Sequence, residues 1–164
     1  MPGRLSHNRA DAGRGKADTM DEVTIREMTI DDYDAVTRVW TEAGLPFRPR
    51  GRDRQEKMRM EMARGTAVFL VAEDGDVVVG VVLGTHDGRR GWINRLAVLP
   101  AYQRQGIACR LVREVEARTD ALGIDIVAAL VESDNEASLA FFRQIEYVHS
   151  PDVEYVSKRR SADT

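Results

Sequence analysis

RLAVLPAYQRQGIA, residues 95–108, is the most informative run in this chain. An apolar strand pattern closes at Pro100, a polar turn follows, and a helical pattern opens at Gly106. The first N–H groups of a helix have no partner inside it, and with the helix dipole they form an anion site suited to a diphosphate. Gly106 carries no side chain where a phosphate must approach the backbone, and Ala108 keeps the next turn small. Gln103, Arg104 and Gln105 stand at the rim, where Arg104 can add a bidentate phosphate contact. A bare Gln-x-x-Gly-x-Ala also spells an ordinary strand–turn–helix. The Leu-Ala-Val-x-Pro before it favours the ligand-binding reading.

Downstream, Ile107 to Leu122 reads as a helix, with Ala108, Leu111, Val112, Val115 and Leu122 on one face and Gly123 as its stop. Glu114 and Arg118 form an i,i+4 pair on it. Ile126 to Val131 is a continuous apolar strand. Strand, helix and apolar strand in succession spell a parallel βαβ crossover. A last helix covers Asn135 to Ile145, and a final strand Val153 to Ser157.

Upstream, Val23 to Met28 alternates as a strand, and Thr29 or Asp31 caps a helix through Ala43. The loop LPFRPRGRDR, residues 45–54, holds two prolines and four arginines. A helix from about Asp53 to Arg64 follows, with Met58, Met62 and the stem of Lys57 facing inward. Val68 to Glu73 and Val77 to Thr85 pair across an Asp74-Gly75-Asp76 hairpin turn. A turn over Asp87 to Gly91 leads into Trp92 to Val98. The order β-α-α-β-β-β-α-β-α-β describes one mixed α/β domain with antiparallel pairing first and parallel pairing later.

The 164 residues, 43% hydrophobic and 31% charged, suit one globular domain with a sizeable core. The net charge of −3 argues against a nucleic-acid partner. The longest apolar run, Val77 to Gly84, is far short of the ~18 residues of a membrane span. Cys109 is the single cysteine, so no disulfide framework or multi-cysteine zinc site is expected, and the three histidines lack metal-ligand spacing. Residues 1–20 carry four bases against two acids and almost no large apolar side chains, leaving 20 bases and 25 acids for the rest. That composition predicts a disordered extension before a domain over 21–164, with residues 1–19 dispensable or lying before a start at Met20. It contains no secretory h-region, so a cytoplasmic protein is expected.

The run Leu96-Ala-Val-x-Pro-x-x-Gln103-x-x-Gly106-Ile-Ala108 resembles the acetyl-CoA motif of the GCN5-related N-acetyltransferases (GNAT). A second run, Asp134-Asn135-x-x-Ser138-x-x-Phe141-Phe142 with Tyr147 after it, is similar to that family's later motif. The flavour resembles small prokaryotic members related to ribosomal-protein alanine acetyltransferases. The resemblance covers about residues 22–157. It implies direct transfer of acetyl from acetyl-CoA to an amine, with no metal, and a splayed central pair of parallel strands. It further implies a bulged strand in which Leu96, Ala97 and Val98 line the pantetheine and polarise the carbonyl. Residues Gln103, Arg104, Gln105, Gly106, Ile107 and Ala108 would then hold the diphosphate. Asn135, Ser138, Phe141 and Phe142 would flank the cofactor from the last helix, and Asn135 also reads as that helix's N-cap.

Two positions depart from the family pattern. Phe142 stands where many members carry a tyrosine whose hydroxyl protonates the leaving thiolate. Ser138 or Tyr147 (or Tyr155) are the substitutes within reach. Glu146 stands where a glycine is usual, and a glutamate there is expected to bend the last turn differently. Glu132, just past the apolar strand, is the favoured base, beside Asp134, Glu73 and His86. Arg48, Arg50, Arg52 and Arg54 suit a carboxylate or phosphate on the acceptor or a plain solvated loop, whereas the acidic body favours a cationic acceptor. A catalytically weak CoA-binding sensor, a nucleotide module on the same helix terminus and a homodimer by final-strand exchange remain as further readings.

Overall fold

The computed structural model describes residues 23–160. The expected N-terminal extension lies outside the described residues. Five strands form one sheet in the order β1-β2-β3-β4-β5. They are β1 (Val23–Glu27), β2 (Ala67–Asp74), β3 (Val77–His86), β4 (Gly91–Val98) and β5 (Val127–Ala129). The first three pairings are antiparallel and β4–β5 is parallel. Helices α1 (Tyr33–Glu42), α2 (Gln55–Met62), α3 (Ile107–Asp120) and α4 (Glu136–Gln144) complete the expected order up to the last helix.

The core is mostly aliphatic. Val79, Val81 and Val82 of β3 and Leu70 and Val71 of β2 are fully buried, because α1 and α3 cover the sheet. Gly84 sets how closely α3 seats on β3. A Cβ there would stand 2.9 Å from Val115 Cγ1 and 3.0 Å from the Val68 carbonyl oxygen. Thr29 and Asp32 form a capping box at a short 3-10 turn before α1. Arg26 then binds Asp32 at 2.7 Å and also pairs with Glu73 of β2. The hydrogen bond from Arg26 holds the Asp32 carboxyl below the usual carboxylate range. On α3, Arg118 pairs with Glu114 as its spacing implied, and also with Glu27 of β1.

Several expectations need correction. Residues 153–157 form no strand, and Val153, Tyr155 and Val156 are exposed. The alternation was real, but no neighbouring strand pairs with it here. The apolar run 126–131 is a strand only at Val127–Ala129, with Ile126 and Leu130 half or more exposed. Leu122 lies past the end of α3 and is exposed, so it joins no buried face. Asp53 precedes α2 instead of opening it, and Lys57 is exposed.

Candidate active site

Pairing decides where the sheet opens. Leu83 faces Arg95 and Gly84 faces Ile93, so Asn94 is an extra residue, a bulge in β4. Its side-chain amide donates to Thr85 Oγ1 at 2.8 Å. The parallel partner stops at the same level, since the last β4–β5 pair is Ile93 with Ala129. Leu96, Ala97 and Val98 therefore lie on a half of β4 that has β3 on one side and no strand on the other. Backbone polar groups facing that gap are available to a ligand. The bulge falls two residues before the stretch expected to line the pantetheine.

A short 3-10 turn, Pro100–Tyr102, follows, and the chain curls back into α3 through two left-handed residues, Arg104 at φ 62° and Gly106 at φ 79°. The first intrahelical bond of α3 runs from the Arg110 N–H to the Gly106 carbonyl, so the N–H groups of Ile107, Ala108 and Cys109 have no helical partner. Gln103 and Gln105 brace this loop from within. The Gln103 amide donates to the Val98 carbonyl and the Gln105 amide to the Ala101 carbonyl, each at 3.0 Å. Arg104 is exposed at the rim. Tyr102 donates to Asp74 at 2.7 Å and Arg110 to the Val23 carbonyl at 2.8 Å, tying the loop and α3 to the far hairpin and to β1. Neither tie has a sequence signal, because each joins positions distant along the chain.

The second motif forms the start and body of α4. Asn135 caps the helix, its side-chain oxygen accepting from the Ser138 N–H at 3.0 Å. Ser138 and Phe141 are half-buried, and Phe142 is buried against Phe141 and Tyr147 with ring centroids 5.2 and 5.0 Å away. Tyr147 donates its hydroxyl to Glu116 of α3 at 2.8 Å. Burial first, then the Glu116 carboxylate, pushes that phenol well above its ordinary range. Glu132 is exposed in the turn before α4, where its carbonyl accepts from the Asn135 N–H. Glu146 does not bend the helix end differently. It takes the left-handed conformation itself at φ 72°, and the closure uses Tyr147 N–H to Phe142 O and Glu146 N–H to Arg143 O. That closure is the one glycine ordinarily makes, here at a cost of about 1–2 kcal/mol for the side chain.

Between β4, α1 and the loop of residues 45–54 lies a buried polar centre. Arg95 of β4 donates to the Asp53 carboxylate and to the Pro46 carbonyl, both at 2.7 Å, and its guanidinium stands 4.7 Å from the Trp40 ring centre. The two charged side chains are 9% and 7% exposed. Burial pulls the guanidinium below its ordinary value, and Asp53 opposes that pull. Asp53 also accepts the Arg48 N–H at 2.7 Å, and its carbonyl takes the Tyr33 hydroxyl. One residue pair thus fastens the arginine-rich loop to the bulged strand. Two signals for it were present: an arginine on the inward parity of Ile93 and Ala97, and one acid among the arginines of 45–54.

The sequence model of the Acetyltransferase (GNAT) family matches residues 33–147, more than half of the chain. The chain belongs to the GNAT acetyltransferase family. An acetyltransferase of Sodalis glossinidius is 32% identical over 139 residues, 85% of this chain and 96% of that protein. Among solved structures, the PaiA N-acetyltransferase of Thermoplasma acidophilum in complex with coenzyme A superposes with a TM-score of 0.66 at 22% identity, over 75% of this chain and 87% of that one. AAC(6')-Iy in complex with a CoA-based bisubstrate analogue gives 0.70 at 16% identity, over 84% and 98%. The GNAT fold and family expected from the two motifs are therefore correct. No helix among the described residues is long and apolar enough to cross a membrane.

Proposed function

We propose that this GNAT protein transfers the acetyl group of acetyl-CoA directly to a primary amine of a small molecule or protein. The observation that carries this reading is the meeting of two features. The half of β4 that has no strand on its β5 side, residues Leu96 to Val98, leads into a helix whose left-handed N-cap, Gly106, has no side chain to obstruct a phosphate. The fit to CoA rests on those groups together, and the CoA-bound relatives support it. Backbone N–H groups at the start of α3, with Arg104 beside them, would hold the diphosphate. The open edge of β4 would orient the pantetheine and stabilise the negative charge that develops on the carbonyl oxygen. Asn135, Ser138, Phe141 and Phe142 would close the other side. Acetyl-CoA supplies an activated acyl group whose leaving group is a thiolate, a much weaker base than an alkoxide or an amide anion.

Glu132 is the proposed base for the amine, acting directly or through water. Ser138 is the better proposed donor to the leaving sulfur. Tyr147 serves only if its hydroxyl exchanges Glu116 for the thiolate. Phe142 lacks a hydroxyl and favours a second reading, a CoA-binding protein of weak or absent transferase activity. The proposed location is the cytoplasm. The free edge of β5 and the exposed Val153, Tyr155 and Val156 support the proposed homodimer, which sedimentation would test.

Calorimetric titration with acetyl-CoA tests the central reading, with Gly106→Glu as control. Saturable binding that weakens by about 100-fold or more in the control is expected, since a carboxylate would replace the phosphate at a strained position. Equal binding by both proteins overturns the assignment. Release of CoA with a panel of amines then separates the transferase from the silent binder. Phe142→Tyr should raise turnover if leaving-group protonation limits the rate.

A further inference from the structure

A cavity of about 410 Å³ opens over α2, away from the start of α3, and Arg52, Arg54, Lys57, Met60, Glu61 and Arg64 line it. Lys57, Met60, Glu61 and Arg64 recur at helical spacing, so they share one face of α2 and its end, beside the buried Met58. Four of the six side chains are cations and one is a carboxylate. Across residues 48–64 there are seven bases and three acids, in a chain whose net charge is −3. The lining is therefore a cationic island on an acidic protein.

Its charges are poorly matched from within. Asp53 is turned inward and held by Arg95 at 2.7 Å. Arg52 stays 3.8 Å from its carboxylate, and Arg54 stays 4.0 Å from that of Glu56, the loose limit of an ion pair. Burial lifts the Glu61 carboxyl above its ordinary range against the pull of Arg64.

The cavity is also tied to the reaction cleft. Arg52 and Arg54 flank Asp53, whose partner Arg95 is the residue before Leu96, where the open half of β4 begins. We propose that the α2 cavity binds a carboxylate or phosphate group of the acetyl acceptor, so that the substrate is an anionic amine rather than a polycation. Guanidinium groups suit this task because their paired N–H donors match both oxyanions, and Lys57 adds a point charge. The apolar stem of Met60, 54% exposed, gives the ligand's carbon skeleton a surface to lie on. This assignment rests on the transferase reading above, whereas anion binding by the cavity does not.

The test uses the full chain saturated with CoA, so that the diphosphate site is filled, and inorganic phosphate as probe. Amide resonances of residues 52–64 are followed by two-dimensional NMR at low ionic strength. Saturable shifts confined to that segment are expected. The midpoint should rise about tenfold in Arg52→Gln/Lys57→Gln, which removes two charge-assisted contacts at exposed positions. It should stay unchanged in Arg59→Gln, which lies outside the lining. No saturable shift, or an equal midpoint in the double variant, overturns the cavity as an anion site.

A second arm compares CoA release with an amine bearing a carboxylate and with its carboxamide. About a tenfold preference in kcat/KM for the carboxylate is expected, collapsing in the double variant while the KM for acetyl-CoA holds. A preference absent from the wild type, or retained by the variant, overturns the acceptor assignment. If CoA itself fails to bind, the transferase reading falls, and the phosphate titration still decides the cavity.

Discussion

From Arg95 to Ala108 the chain builds with its backbone, and from Leu45 to Arg64 it builds with side chains. In the first region a bulge at Asn94, a strand that runs on past its partner and two left-handed residues shape an opening edged by main-chain N–H groups. In the second, one buried ion pair pins an irregular loop, and exposed cations form a cavity. The two meet at Arg95, which belongs to both. Backbone geometry tolerates few residue types at its critical points, so the first region carries a spelled-out motif. A charged lining accepts many arrangements of arginine and lysine, so the second carries only a composition.

The sharpest way to break this contrast is to remove the shared residue. Arg95→Ala leaves Asp53 charged and buried, and a loss of about 3–5 kcal/mol in urea unfolding is expected. The pair Arg95→Met/Asp53→Leu should recover more than half of that, because no uncompensated charge remains. A single-variant loss under about 1 kcal/mol would show that the loop is not fastened through this pair.

Next in size is Gly84→Val, which acts on the backbone-built side. The added side chain meets Val115 at 2.9 Å and the Val68 carbonyl at 3.0 Å before its own methyl groups are counted. A loss of about 1–3 kcal/mol is expected as α3 is pushed off the sheet, read as a fall of several degrees in Tm. An unchanged Tm would mean that α3 does not sit against β3 as described.

The smallest effect concerns Arg26 and Asp32 at the start of α1. The folded carboxyl sits below its ordinary value of 3.8, so its contribution is present above that pH and is lost as the pH falls through the lower folded value. Asp32→Asn should therefore cost about 1 kcal/mol at pH 6, and the gap from wild type should close towards pH 2. A gap that widens in acid reverses the sign and sinks the assignment.

Legibility in the sequence followed the same division. The hairpin at Asp74 to Asp76, the crossover from β4 through α3 and both motif helices were readable because periodicity and turn residues are local. The family followed from the resemblance of the runs 96–108 and 134–147 to its two motifs. Three pairings stayed out of reach for a common reason, although residue types hinted at the first. Arg95 with Asp53, Tyr102 with Asp74 and Tyr147 with Glu116 join residues 42, 28 and 31 positions apart, and no spacing rule reports such pairs. Residues 153–157 failed in the opposite sense. Their alternation was local and clear, but a strand also needs a neighbour. Glu146 shows that a residue type can be a weaker constraint than the closure it must serve.

The brevity of β5 bears on how the chain folds. The hairpins linking β2, β3 and β4 close over short loops, whereas the three residues of β5 dock only after α3 has been traversed. Distant closure costs entropy before any pairing offsets it, so this rung is the least protected of the sheet. Native-state hydrogen exchange should accordingly find the amides of 127–129 opening well below the global unfolding free energy. A ligand lodged between α3 and α4 would slow them more than any in β2 or β3. On that account, the amides of this last rung report whether the cleft is occupied.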